Sequence, residues 1–125
     1  MGKIVLLIDD EELVAKTIGR LLRKEGCEVI LCRNGGEALK TIAETEVDLI
    51  ICDIRMPGMS GVETIKEIRG FLMREGKKPV KEILITGYAE AETMKEALEL
   101  KVADYIYKPF DIRDFLKSVQ KNLTE

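Results

Sequence analysis

Residues 4–12 read Ile-Val-Leu-Leu-Ile-Asp-Asp-Glu-Glu, five apolar residues that end in four consecutive acids. An apolar run without polar alternation is typical of a parallel strand that is buried on both faces. Ligands of open parallel sheets bind beyond the carboxyl ends of the strands. We therefore expect Asp9 and Asp10, which follow this run directly, to lie where such a sheet carries its functional site.

The alternation of a short apolar run with a helical repeat occurs five times along the chain. The four later runs are Val29 to Cys32, Leu49 to Cys52, Ile83 to Ile85 and Tyr105 to Tyr107. This alternation predicts an α/β fold, a doubly wound sheet of five parallel strands with five helices on its two faces. No internal boundary, repeat or low-complexity segment interrupts the pattern, so residues 1–125 are expected to form one domain.

Several helix starts and apolar faces can also be predicted. Asn34 precedes Glu37, and Ser60 precedes Glu63, at the spacing of side chains that cap helices. Asp111 is expected to cap the last helix. The apolar residues that recur at helical spacing include Leu13, Ile18, Leu21 and Leu22 in the first helix, Met94, Ala97 and Leu98 in the fourth, and Ile112, Phe115, Leu116, Val119 and Leu123 in the fifth.

Composition argues against several classes of function. The net charge is −3 and no run of Lys and Arg forms a basic stripe, so we expect no direct binding of nucleic acid. The N-terminal apolar run is too short to span a bilayer and no signal peptide is visible, so we expect a cytoplasmic protein without membrane contact. The three cysteines lack metal-ligand spacing and are expected to stay reduced.

The chain contains no histidine. Without histidine, Ser-His-Asp catalysis, Cys-His catalysis and the usual zinc sites are excluded. Any chemistry must therefore run on carboxylates, hydroxyls and lysines.

Polar residues that suit such chemistry follow the later apolar runs. Asp53 follows the third run, Thr86 the fourth and Lys108 the fifth. Together with the two acids after the first run, they gather three carboxylates, one hydroxyl and one ammonium at one edge of the sheet. Unpaired carboxylates repel each other, and a hard cation such as Mg²⁺ or Mn²⁺ resolves that conflict. Asp53 is expected to be an anion at pH 7 and could attack a phosphoryl group without a base.

The chain resembles a response-regulator receiver domain, the flavodoxin-like fold of the chemotaxis protein CheY. The matching residues, in the order and spacing of that family, are Asp9-Asp10, Asp53, Met56-Pro57-Gly58-Met59, Gly61, Thr86-Gly87 and Lys108-Pro109-Phe110. The resemblance covers essentially the whole chain and implies the strand order 2-1-3-4-5. Residues 70–81 form a longer stretch than in many members, and we expect them to extend the third helix and then form a loop.

The resemblance implies which residues hold the phosphoryl group and the metal. Asp53 is the phosphoacceptor and also contacts the metal. Asp10 is a direct ligand, and Asp9 holds the ion largely through water. The backbone carbonyl of Arg55 is a further protein ligand.

It also implies which residues switch. Thr86 turns toward the phosphoryl group, and Lys108 pairs with that group. The peptide bond between Lys108 and Pro109 is usually cis in this family. Tyr105 matches the aromatic switch residue, whose side chain moves when the threonine moves.

The resemblance also implies that two further positions set the lifetime of the phosphorylated form. They lie two residues after Asp53 and two after Thr86, and are occupied by Arg55 and Tyr88. Both side chains are bulky, and neither offers a carboxylate or amide suited to orient an attacking water. Slow autodephosphorylation is therefore predicted.

The partners that the resemblance implies are a histidine kinase or phosphotransfer protein and, downstream, another protein or a second copy bound through helix 4, strand 5 and helix 5. Two other functions remain as alternatives: a binding module that is not phosphorylated, and an aspartyl phosphatase. The phosphatase is disfavoured because such enzymes carry an Asp-x-Asp pattern after the first strand, whereas this chain has Asp9-Asp10-Glu11. Whether the chain is a stand-alone protein or part of a longer one is left open.

Overall fold

In the computed structural model, which describes residues 2–87 and 90–124, five strands alternate with five helices. The strands are β1 (Ile4–Ile8), β2 (Glu28–Cys32), β3 (Leu49–Asp53), β4 (Lys81–Thr86) and β5 (Asp104–Tyr107). The helices are α1 (Glu12–Lys24), α2 (Gly35–Glu44), α3 (Gly61–Arg74), α4 (Ala91–Glu99) and α5 (Ile112–Leu123). All pairings are parallel and the strand order is β2-β1-β3-β4-β5, which confirms the fold class.

The register of the sheet brings distant parts of the sequence together. Ile8, the last residue of β1, lies between Cys32 of β2 and Cys52 of β3. The carboxyl ends of β1 and β3 are therefore neighbours. This places Asp9 beside Asp53.

Two of the candidate residues lie inside strands, whereas the sequence predicted them to follow strands. Asp53 is the last residue of β3 and pairs with Ile85, and Thr86 is the last residue of β4 and pairs with Tyr107. The ladder continues past the apolar run because backbone groups pair whatever side chain they carry. Both side chains are therefore held by a rigid element rather than by a loop.

The two faces of the sheet carry separate apolar cores. α1 and α5 cover one face, and α2, α3 and α4 cover the other. Leu22 and Phe115 are fully buried on the first face, as are Ile65 and Ile68 on the second. Each such side chain stabilises the fold by about 1.5–3 kcal/mol, so packing fixes the helices that flank the site. Among the described helices, none is long and apolar enough to cross a membrane.

The buried face of α1 differs from the predicted one. Leu13 is 79% exposed, while Ala15, Ile18 and Leu22 face the sheet. The prediction was wrong at Leu13 because a small residue such as Ala15 carries little hydrophobic signal. Helical spacing alone could not distinguish the buried face of α1 from the adjacent exposed face.

Three exposed apolar side chains lie on consecutive elements at one edge of the sheet. They are Leu98 of α4, Tyr107 of β5 and Ile112 of α5, and each is at least half exposed. The sequence pattern placed Leu98 and Ile112 among the apolar residues at helical spacing, but neither side chain is buried. β5 is an edge strand, so no sixth strand covers these residues in the described part of the chain. We call this surface the α4-β5-α5 face.

The predicted helix caps are confirmed. The Asn34 side chain accepts a hydrogen bond from the Glu37 N–H at 2.9 Å. Ser60 and Glu63 form a reciprocal capping box at the start of α3. Asp111 accepts two backbone N–H groups at the start of α5.

Residues 70–81 behave as the sequence predicted. α3 continues to Arg74, and a loop follows before β4. Gly76 has a φ of 64°, a conformation that favours glycine and that ends the helix. The next N–H, of Lys77, returns to the carbonyl of Leu72 at 2.8 Å.

One buried acid lies far from the candidate site. Glu82 of β4 is 5% exposed, and the Arg69 guanidinium on α3 donates to both of its carboxylate oxygens, at 2.8 and 2.7 Å. The sequence analysis did not predict this pair.

Candidate functional site

Three carboxylates meet at the carboxyl edge of the sheet. One oxygen from each of Asp9, Asp10 and Asp53 can be chosen so that all three lie within 4.8 Å of one another. Asp9 and Asp53 are 1% and 4% exposed, whereas Asp10 is open to solvent. The two strand ends thus bring together the acids that the sequence predicted to cluster.

The Asp9 carboxylate is only partly satisfied. Its Oδ1 accepts the Glu11 N–H at 2.9 Å, but its Oδ2 is buried and has no hydrogen-bond partner among the described residues. Burial raises the pKa of Asp9 to about 6; the Glu11 N–H opposes this shift, and the negative charge of Asp53 adds to it. An unpartnered buried oxygen beside two other acids fits the donor set that a hard divalent cation requires.

Both oxygens of Asp53 have partners. Oδ1 accepts the Arg55 N–H at 3.0 Å, and Oδ2 accepts the Lys108 ammonium, also at 3.0 Å. The N–H is supplied by the turn that leaves β3, and the ammonium by the residue that follows β5. The carboxylate is therefore held in one orientation from two sides.

Lys108 is positioned by its backbone and by its stem. Its N–H donates to the Thr86 carbonyl at 2.8 Å, and a Cβ added at Gly87 would lie 3.2 Å from the Lys108 Cδ. Burial alone would lower the pKa of Lys108, but the hydrogen bond and charge of Asp53 outweigh it and raise that pKa. The Lys108–Pro109 peptide bond is cis, as the resemblance implied.

Gly61 allows α3 to begin against the phosphoacceptor strand. A Cβ at this position would overlap the backbone carbonyl of Asp53. The Gly61 N–H donates to the carbonyl of Ile54 at 2.8 Å. The absence of a side chain at Gly61 thus lets the helix start directly beneath the site.

These residues surround an open cleft of about 640 Å³. The cleft is lined by Asp10, Glu11, Asp53, Arg55, Met56, Pro57, Gly87 and Lys108. Sequence reasoning missed Glu11, whose Oε1 lies 3.5 Å from the Lys108 ammonium. The signal that could have found it is a third acid directly after the Asp-Asp pair.

The two switch candidates contact α4 and not the carboxylates. The Thr86 hydroxyl is buried and donates to the Met94 Sδ at 3.5 Å. The Tyr105 hydroxyl donates to the carbonyls of Ala97 and Leu98, at 2.7 and 3.3 Å. Both side chains therefore connect the sheet to α4. Tyr88, the second lifetime candidate, lies outside the described residues.

Comparison with known proteins agrees with this geometry. The family model for the response regulator receiver domain matches residues 5–120. The regulatory protein AtoC of Escherichia coli K12 is 39% identical over 119 residues, which cover 95% of this chain and 25% of AtoC. The chain thus spans about a quarter of the length of that relative.

Two further proteins match along almost their whole length. Sporulation initiation phosphotransferase F of Bacillus subtilis is 29% identical over 123 residues, covering 98% of this chain and 95% of that protein. The crystal structure of a CheY-like receiver domain protein from Methanospirillum hungatei JF-1 superposes with a TM-score of 0.86 at 31% identity, covering 98% of this chain and 94% of that one. The chain therefore belongs to the response regulator receiver domain family, whose members act as signalling switches in two-component systems.

Proposed function

We propose that residues 1–125 form a receiver domain that accepts a phosphoryl group on Asp53 in a Mg²⁺-dependent reaction. The observation that carries this proposal is the environment of Asp53, whose Oδ2 lies 3.0 Å from the Lys108 ammonium, beside two further acids in an open cleft. The donor is a phosphohistidine on a kinase or phosphotransfer protein. The full-length match to a protein named sporulation initiation phosphotransferase F supports this class of donor.

In the proposed step, an oxygen of the Asp53 carboxylate attacks the phosphorus atom of the donor. The bond from phosphorus to the donor's imidazole nitrogen breaks, and the nitrogen keeps the electron pair. The product is an acyl phosphate on Asp53. Lys108 shifts from the carboxylate to the transferred oxygens and stabilises their negative charge, and the Arg55 N–H keeps the carboxylate oriented.

The acids at this edge would hold the metal. Asp10, Asp53 and the backbone carbonyl of Arg55 would supply direct ligands, and Asp9 would act largely through water. Mg²⁺ or Mn²⁺, when bound, supplies positive charge to neutralise the phosphoryl oxygens. The buried Asp9 Oδ2, which has no hydrogen-bond partner in the part of the chain that is described, supports a hydrated cation, one of whose water molecules would be the missing neighbour.

Phosphorylation would then act on α4. We expect the Thr86 hydroxyl to leave Met94 for the phosphoryl group, and Tyr105 to move into the space released. Tyr105 would lose its hydrogen bonds to the last turn of α4. The α4-β5-α5 face would change, and a downstream protein or a second copy would bind there.

The proposal is tested with acetyl phosphate and Mg²⁺. Intact mass spectrometry should show one added phosphoryl group in the wild type and none in Asp53→Asn or after metal removal. Calorimetry on the same proteins measures Mg²⁺ binding without any reaction. A full adduct on Asp53→Asn, or continuous release of phosphate from phosphomonoesters, would contradict the assignment and favour a phosphatase.

A further inference from the structure

Among the described residues, two carboxylates lie within ion-pair distance of the Lys108 ammonium. Its Nζ is 3.0 Å from the Asp53 Oδ2 and 3.5 Å from the Glu11 Oε1. Asp53 is buried at the floor of the cleft, whereas 61% of the Glu11 side chain is exposed at its mouth. Nothing in the proposed phosphoryl transfer uses Glu11.

The backbone keeps Glu11 at this place. Its N–H is bonded to the Asp9 Oδ1, and Glu11 is the residue that precedes the first turn of α1. The next acid, Glu12, differs because it pairs with Lys16 along the helix at 3.0 Å. Two adjacent acids of the same charge therefore have different surroundings: one faces the cleft and the other does not.

We propose that Glu11 is a positioning residue that makes the cleft select against small anionic phosphodonors. This inference rests on the proposed function of Asp53. The Glu11 carboxylate competes with incoming phosphoryl oxygens for the Lys108 ammonium, and its negative charge opposes the entry of a free anion. A protein donor compensates through contacts remote from the phosphoryl group, which a small molecule lacks.

Glu11→Gln tests the proposal, and Glu12→Gln is the matched control because it removes the same charge outside the cleft. The rate of Asp53 phosphorylation is measured with acetyl phosphate and with phosphoramidate, which has less negative charge at pH 7. Each variant is assayed at its own saturating Mg²⁺ concentration, since loss of a nearby acid also weakens cation binding. Circular dichroism confirms that each variant is folded.

Glu11→Gln should use acetyl phosphate about threefold to fivefold faster than the wild type, gain less with phosphoramidate, and lose the advantage at high salt. Its affinity for beryllofluoride should rise by a similar factor. An equal gain in Glu12→Gln, an equal gain with both donors, or no gain would overturn the proposal. A wild type that is not phosphorylated at all would instead contradict the proposed function.

Discussion

Two buried acids of the same sheet, Glu82 and Asp9, have opposite surroundings. Glu82 lies near the amino end of β4, where the Arg69 guanidinium donates to both of its oxygens. Asp9 follows β1 at the carboxyl edge, where one oxygen has an N–H partner and the other has none in the described ranges. A buried acid with complete partners serves the fold, and one that is left incomplete is available to a ligand.

The pKa shifts found beside Glu82 and at Asp9 also differ. The hydrogen bond to Glu82 is the main reason that the pKa of Arg69 is raised. Burial raises the pKa of Asp9 to about 6, so its charge is costly in the absence of a cation. Perturbed carboxyl groups of this kind are typical of functional sites.

The comparison is tested most strongly by Arg69→Met, which leaves Glu82 buried without the guanidinium that pairs with it. We expect the free energy of unfolding to fall by about 3 kcal/mol, as urea titration would measure. The double variant Arg69→Met/Glu82→Gln should recover at least half of this loss. A loss below about 0.5 kcal/mol would mean that water satisfies Glu82 and that the pair is not structural.

The second-largest expected effect is on metal affinity, which should depend on the acids around Asp9 but not on Glu82. Asp10→Asn should weaken Mg²⁺ binding at least about tenfold, because Asp10 is the proposed direct anionic ligand, and Asp9→Asn should weaken it less. Glu82→Gln is the control and should leave the affinity unchanged. Calorimetry on the three variants measures these differences. Equal losses at Asp9 and Asp10 would contradict their different roles.

Asp9→Asn should stabilise the folded protein at neutral pH in the absence of metal, whereas Arg69→Met destabilises it. The pKa of Asp9 is higher in the folded than in the unfolded chain, so the folded state binds more protons between about pH 4 and pH 6. Wild-type stability therefore falls as the pH rises through this window, and the deficit persists above it.

The Asp9→Asn variant should lack this deficit. Because the Asn amide also leaves a buried group unpaired, the gain above pH 6 should be about 1 kcal/mol. Urea titrations at pH 4 and pH 7.5 in EDTA measure it, and at pH 4, where folded Asp9 is protonated, the variant should be less stable than the wild type by about 1–2 kcal/mol. A variant that is less stable at pH 7.5 would show that Asp9 is fully satisfied.

The smallest expected effect is on the lifetime of the phosphoryl group. Arg55 is exposed at the cleft and lies two residues after Asp53. Arg55→Asn should speed autodephosphorylation about threefold, because the shorter amide can orient an attacking water. Decay is followed after removal of the donor. Equal decay rates would mean that the Arg55 side chain does not shield the group.

The alternation of apolar runs predicted the fold well because buried parallel strands leave a continuous hydrophobic signal. The residues after those runs predicted the carboxylate cluster, since parallel strands end at one edge. The pattern was wrong at Leu13, which is exposed. The alanine and glycine positions on the buried face of α1 carry little hydrophobic signal, so the pattern did not show that face. It could not predict the bond between Arg69 and Glu82, because charged side chains are usually exposed and nothing local relates α3 to β4.

The side-chain directions of the switch residues were also beyond the sequence. Thr86 was expected among the carboxylates, yet its hydroxyl donates to Met94 of α4. Strand position determines where a Cα lies, but the rotamer depends on what packs against it. Glu11 was missed for a similar reason, because its distance to Lys108 depends on how α1 begins.

The site is assembled from strands that are far apart in the sequence. Asp9, Asp53 and Lys108 come together only when β1, β3 and β5 are all in place. An unfolded chain would therefore lack the proposed cation site, and Mg²⁺ binding at that site would be thermodynamically linked to folding. At a Mg²⁺ concentration ten times Kd, the folded state should gain about 1.4 kcal/mol. Thermal unfolding with and without Mg²⁺ thus offers a binding assay that needs no phosphodonor.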